Sequence, residues 1–501
     1  MSQPMERSFH MIKNFYIPQR VLLSIFGFLA IVNAFLMRLC LDVAMTQMIL
    51  PKQTNPPPIA TSMPAKTKTF PRRILKRFNV TQLMLNATIN TVPASASASA
   101  LTTYDWSEQL QAVILAAFYV GYVIGHIPSS LLAEKYGGKW MLSMAILSTA
   151  VCTLLTPTAI KIGGPVALIV IRILAGLSES PTYPALSSLL SQWVPARERG
   201  KLGVLVLSGS QVGVFIVYIV SSLLLQRYQW SVVFYFFGCC ALLWLFCFML
   251  LCYNDPETHP YIREQEKVYL REQIKSKTPK AELAPTPWKA IATNAPMWAL
   301  TWATVQFDWS QYASVFAVPK ELQFDNEESV LRSISDNLNA TMPYILKWMV
   351  SLASGVLSDI LVEHKIVSTT TVRKIMTSIA AFGPRILKGF AKCLCEHNGI
   401  IPILQCSMGV VGTYYAGIKL SPLDISPNYA GTVMGIANGI GSATALIAPY
   451  WDSWVQKNCP MLKELRGIFW ILCTALSSGD VQPFNDPNST NALADNEDKN
   501  K

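Results

Sequence analysis

Arg172 and Glu179 stand seven residues apart in the stretch IRILAGLSESPTYPALSSLLSQW, which is otherwise apolar enough to lie in lipid. Seven residues is close to two helical turns, so both side chains share a face, about 10 Å apart along the axis. A charged side chain at mid-membrane costs roughly 2.5–3.5 kcal/mol on insertion scales. Charges kept at that cost usually line a path for ions or polar solutes. The alternative is a static ion pair that orients its helix. Arg38, in FLMRLCLDVA, poses the same choice, because Asp42 follows one turn later and can neutralise it as a buried internal pair.

The chain that must position these groups has 501 residues, of which 51% are hydrophobic and 14% charged. A soluble domain carries about 25% charged residues. Many long apolar runs make this an all-α polytopic membrane protein. Most of the eleven cysteines lie in those runs and read as small apolar residues, not as a disulfide framework. Cys393 to His397 reads C-L-C-E-H, but no second ligand pair accompanies it, so no metal site is expected. The net charge of +11 suits cytoplasmic loops facing anionic lipid and does not call for nucleic acid. The first apolar run, 21–50, is too long for the core of a cleaved signal and is expected to stay as a span.

Hydropathy predicts spans near 21–50, 109–133, 140–160, 165–192, 202–225 and 231–253. A polar connector, 254–293, precedes spans near 295–319, 341–362, 375–391, 400–420, 429–451 and 467–479. Twelve spans fall into two sets of six, 21–253 and 294–479. The N-terminus (1–20) and the polar tail (480–501) then share one side. Bases in the short loops, among them Arg197, Arg199, Lys201, Lys365, Arg373 and Lys374, make that side cytoplasmic. The loop 51–104 must face the other way although it is itself basic, and its TNPPP and ASASASA tracts predict disorder. Its sequons at Asn79 and Asn86 predict glycosylation on a luminal or extracellular face.

Two predicted spans are weak. The ninth has only Ile375 to Pro384 before Arg385, Lys388 and Lys392 intervene, and the twelfth is a short run between Arg466 and Asp480. About 20 apolar residues are needed to cross the hydrocarbon core. Either the bilayer thins at these helices or sequence is missing there.

A short repeat fixes the architecture. After the second span the chain reads SSLLAEKYGGKW, with Glu134, Lys135, Gly138 and Lys139. After the eighth it reads SGVLSDILVEHK, with Gly355 and Asp359. This resembles the loop signature found once in each six-helix half of the major facilitator superfamily. A carboxylate at a helix end can bond a neighbouring helix N-terminus and pair with the loop's bases, latching the helices when the cytoplasmic side is closed. The stretches YDWSEQLQAVILAAFYVGYVIGHIPSSLLAEKYGGKW and SPLDISPNYAGTVMGIANGIG narrow the likeness. They resemble the anion/cation symporter branch, which includes the vesicular glutamate transporters, sialin and type I sodium–phosphate cotransporters, and look nearest to insect proteins described as inorganic phosphate cotransporters.

That resemblance implies a secondary active transporter, not an enzyme, carrying inorganic phosphate or a small organic anion coupled to H+ or Na+ and needing no cofactor. Arg38, Arg172, Tyr119 and Tyr183 become candidate substrate contacts. Fixed guanidinium forks suit carboxylate and phosphate, while packing is a competing role for the two tyrosines. Glu179 becomes the candidate proton carrier, because a carboxylate shielded from water holds its proton more tightly. Leu115 and Ser187 replace histidines common in the branch, and Asp308 stands where glutamate transporters have an arginine, which argues against glutamate. His126, near the end of the second span, reads as a hydrated interfacial residue. A monomer in the plasma membrane or a lysosomal or vesicular membrane is expected. The weak spans leave a second reading open: a degenerate, non-transporting membrane protein acting as a sensor or interaction partner.

Overall fold

The computed structural model describes residues 17–49, 104–274, 286–322, 330–394, 400–447 and 480–485. The predicted sequons at Asn79 and Asn86 and the twelfth span lie outside them. By chain contacts the molecule divides into a small unit, 45–106, and a large one holding everything else; all that follows concerns the large unit. Its regular elements, among the described residues, are all helices. The first half contains α1 (Gln19–Met48), α2 (Glu108–Tyr136), α3 (Gly138–Glu179), α4 (Thr182–Trp193), α5 (Val204–Leu207), α6 (Gly209–Arg227) and α7 (Ser231–Leu251). The connector carries α8 (Glu264–Gln273) and α9 (Trp288–Thr293). In the second half follow α10 (Ala295–Leu322), α11 (Val330–Glu363), α12 (Thr369–Leu394), α13 (Ile400–Val410), α14 (Thr413–Ala416), α15 (Ser421–Ile425) and α16 (Ala430–Ser442).

Among the described residues, seven helical stretches are long and apolar enough to cross a membrane. The surfaces of these helices are inverted relative to a soluble protein. Ile124, Met144, Leu243 and Phe246 are each at least 60% exposed, whereas Arg38, Arg172 and Glu179 are buried. Such an arrangement suits hydrocarbon outside and a polar interior.

Glycine and proline set the breaks. The third and fourth predicted spans run together as α3, turning at Gly164 (φ 57°) just before Pro165. Only glycine adopts that backbone without strain. The fourth span breaks again after Glu179. Pro181 has no N–H to give the carbonyl of Leu177, and the Ser180 hydroxyl donates to that carbonyl instead at 2.8 Å. The weak ninth span is one unbroken helix, α12, continuing past Arg385. Its 26 residues measure about 39 Å, so length does not prevent it from crossing. The tenth is broken: α13 ends, Gly412 and Gly417 flank the four-residue α14, and a short 3-10 turn reaches Leu420. A Cβ on Gly412 would lie 2.2 Å from the backbone oxygen of Lys347, so α11 and this break meet backbone to backbone.

Candidate functional site

The two basic residues in the first half exchange the partners that the sequence offers as static pairs, Asp42 for Arg38 and Glu179 for Arg172. Instead Arg38 on α1 donates from Nε and Nη2 to Oε1 of Glu179 at the end of α3, 3.0 Å for the Nε bond. Arg172 lies 3.8 Å from Asp42 and donates to the backbone oxygen of Arg38 at 3.0 Å. The physical reason is reach. Arg172 and Glu179 sit two turns apart on one helix, whereas Arg38 on α1 reaches the acid with the Nε–Nη2 edge of its guanidinium. The guanidinium of Arg38 is further held over Tyr122, Phe35 and Phe118 at 4.4–4.9 Å. This cation–π cage is a strong place to keep a desolvated cation.

The cluster is not saturated. Oε2 of Glu179 and Nε of Arg172 are buried with no hydrogen-bond partner among the described residues. A small cleft between α1, α2, α3 and α7 reaches Arg172, lined also by Met37, Cys40, Phe118, Thr149 and Phe234. Buried polar atoms left open beside space mark a place where a ligand, water or proton belongs.

Both tyrosines use their rings. Tyr119 meets Phe118 edge to face, so packing is part of its role. Tyr183 presents its ring, not a hydroxyl, to a cation: Nζ of Lys419 sits 4.5 Å from its centroid. His126 is fully buried, with Nδ1 2.7 Å from the Tyr122 carbonyl, and packs against Gly439 of α16. The expected hydrated position does not hold, because α16 covers it.

Sequence reasoning passed over two lysines. Lys347 on α11 is 1% exposed and donates to Gln311 at 2.6 Å. Lys419 lies in the 3-10 turn that ends the broken tenth span, is 8% exposed, and donates to Asn438 of α16 at 2.7 Å. The signal that singled out Arg38, a base inside a predicted span, was present for both.

The repeated loop motif holds the halves together at one end. Glu134 accepts from the backbone N–H of Thr432, in the first turn of α16, at 2.8 Å. Asp359 accepts from the backbone N–H groups of Gly200 and Lys201, both at 2.7 Å. Those two lie in a π-helical turn, Arg199–Gly203, whose widened winding presents its N–H groups outward. Each carboxylate thus caps a helix of the opposite half. Asp424 then receives Arg199 from the first half at 3.1 Å and Arg373 from the second at 2.8 Å. Gly200 and Gly355 touch so closely that a Cβ on Gly355 would lie 2.4 Å from the Gly200 oxygen. Gly138 packs on α4, where a Cβ would lie 2.5 Å from the Ala185 oxygen. The loop lysines do not serve the latch as expected. Lys139 donates to the Met249 carbonyl at 3.2 Å and covers Tyr253, while Lys135 is exposed beside the Tyr136 ring.

The comparisons with known proteins agree with this geometry. The family model described as Major Facilitator Superfamily matches residues 80–449. A Drosophila ananassae protein named "Putative inorganic phosphate cotransporter" is 33% identical over 352 residues, covering 69% of this chain and 72% of that protein. Human sialin is 33% identical over 352 residues, 69% of each chain. Human vesicular glutamate transporter 2 is 29% identical over 403 residues, 77% of this chain and 68% of the transporter. The solved structure of the proton:xylose symporter XylE superposes with a TM-score of 0.62 at 12% identity, covering 95% of this chain and 98% of that one, a likeness of fold alone. The chain is therefore a multi-pass membrane transporter, not an enzyme, and belongs to the major facilitator superfamily, in the branch that contains sialin and the vesicular glutamate transporters.

Proposed function

We propose that this chain carries a small anion, inorganic phosphate or an organic acid, across a membrane by alternating access, coupled to protons through Glu179. One observation carries the reading: the guanidinium of Arg38 is occupied by Glu179, and only one of that acid's oxygens is used. A proton on Glu179 removes the charge that holds Arg38 and leaves a caged, desolvated fork for an incoming anion. An anion on Arg38 conversely releases Glu179 to be protonated. Competition for one base couples the two fluxes, and Arg172 with Asp42 supplies a second, looser pair beside it. The names of the relatives support small anions as cargo.

The halves 21–253 and 294–479 rock about this layer, with 254–293 as the tether. The latched end carries Arg197, Arg199, Lys201, Arg373 and Lys374, so it faces the cytoplasm. Both termini lie on that side, and the transporter works as a monomer in the plasma membrane or a lysosomal or vesicular membrane. No cofactor is required beyond the coupling ion.

The test is uptake into proteoliposomes of labelled phosphate, sialic acid, aspartate and urate under imposed pH or sodium gradients. For the anion that is taken up, Glu179→Gln is expected to abolish stimulation by a pH gradient while exchange of internal for external anion continues. Undiminished gradient stimulation in that variant refutes the coupling role.

A further inference from the structure

The buried ionisable groups near the centre divide unevenly between the halves. In the first half, Arg38 and Arg172 face Asp42 and Glu179, two bases for two acids. In the second, Lys347 and Lys419 have Asp308 as the one acid within electrostatic reach among the described residues. No carboxylate of the described residues lies within ion-pair distance of either ammonium. Each is held instead by one neutral carboxamide oxygen, from Gln311 and Asn438, and by one aromatic ring, Phe307 and Tyr183. An ammonium has three N–H donors, so neither lysine is satisfied by these contacts alone. Nδ2 of Asn438, beside Lys419, is a further buried donor with no partner among the described residues. Asp308 does not fill the gap, for its carboxylate is turned against Gly441 of α16.

Lys419 also crosses the divide. Its ammonium lies over the Tyr183 ring of the first half, and it is near enough to Arg38 to feel its charge. Close by, Tyr415 accepts or shares hydrogen bonds with Ser210 and Gln211 of the first half at 2.9 and 2.6 Å. The second half therefore brings surplus positive charge and open donors up to the face that carries Arg38.

We propose that Lys347 and Lys419, with the amide of Asn438, form the second half's wall of the binding site and select a dianion over a monoanion. The inference rests on the reading that the anion passes Arg38 and Glu179. The charge count supplies the selection. Among the described residues at its centre, the second half sets two bases, Lys347 and Lys419, against one acid, Asp308, an excess of one positive charge. The first half gains one when Glu179 is protonated, so a dianion spanning the two walls neutralises both. A monoanion leaves one buried cation bare, which is costly. Binding one negative end to each half also draws the halves together around the ligand, the step that alternating access requires.

Thermal-shift titration of the purified full chain tests this, with succinate and sulfate as dianions and lactate as the monoanion, at neutral pH. The wild type is expected to bind succinate and sulfate at least about tenfold more tightly than lactate. Lys347→Gln and Lys419→Gln should each lose about tenfold or more for the dianions, the loss of one charge-assisted hydrogen bond, and less than about threefold for lactate. Gln311→Glu and Asn438→Asp place a carboxylate on each ammonium without removing it, and should weaken dianion binding in the same way. Lys→Arg at either position should retain the preference and controls for folding. Equal affinity for the three anions in the wild type overturns the proposal, as does full dianion affinity in the four charge-altering variants. If those variants are silent while Arg38→Gln abolishes binding, only the role of the lysines falls. If Arg38→Gln is silent as well, the reading of the central site falls with it.

Discussion

Asp359→Asn removes the charge from the carboxylate that joins the second half to the start of the first half's fifth span. Asp359 accepts two backbone hydrogen bonds at 2.7 Å, from Gly200 and Lys201. Hydrogen bonds to a charged group contribute about 1.5–3 kcal/mol each. An asparagine has one oxygen to offer; its NH2 faces the second N–H, donor against donor. Water replaces part of the loss once the latch parts, so the net change is about 2–4 kcal/mol against the latched state. That corresponds to roughly 30- to 700-fold more opening at this end. Hydrogen exchange read by mass spectrometry on a peptide covering 196–207 is the direct assay, because the two donors are themselves the exchanging groups. Their protection should fall by that factor, with helices far from the latch unchanged. Asp359→Glu, which keeps the charge on a longer arm, should fall between. If protection at Gly200 and Lys201 stays within about threefold of wild type in the asparagine variant, the carboxylate does not hold the halves and the latch argument is wrong.

Other outcomes follow from the same contacts. Gly121→Ala should separate α2 from α3, because the new methyl would lie 2.0 Å from the Ile173 carbonyl; overpacking of this kind costs about 1–3 kcal/mol, read as a lower melting temperature in detergent. Gly176→Ala, facing the Phe118 oxygen from the other side, should do the same. His259 on the connector packs on Trp193 and Tyr253, and burial lowers its proton affinity below the ordinary histidine value. The unfolded chain therefore takes up the proton first, so the connector's stability is full above about pH 6.5 and declines on acidification. Faster exchange around 252–262 at pH 5 than at pH 7, abolished in His259→Phe, is the expected sign. An exchange profile independent of pH after correction for intrinsic rates rejects it.

Much of this architecture was legible from hydropathy alone, because lipid forces long apolar helices and leaves few alternatives. Arg38, Arg172 and Glu179 were legible for a related reason: bases and acids inside apolar runs are conspicuous. Their pairing was not. Arg38 and Glu179 are 141 positions apart in the chain, and periodicity along one helix favours neighbours that the packed helices do not bring together. Lys347 and Lys419 carried the same mark as Arg38 but sat in segments read for their length and not for their charges. The ninth span looked broken because Arg385 was counted against the membrane; a helix continues through it since backbone bonding is indifferent to that charge.

The two carboxylate caps are reciprocal: the first half lends Glu134 to a helix of the second, and the second lends Asp359 to a helix of the first. A tilt that lengthens one therefore cannot spare the other. The latched end has no half-ajar position to rest in, so it behaves as a switch with two settings. Whatever parts one clasp parts the other as well, so a solute that leaks through this end must meet the cost of both at once.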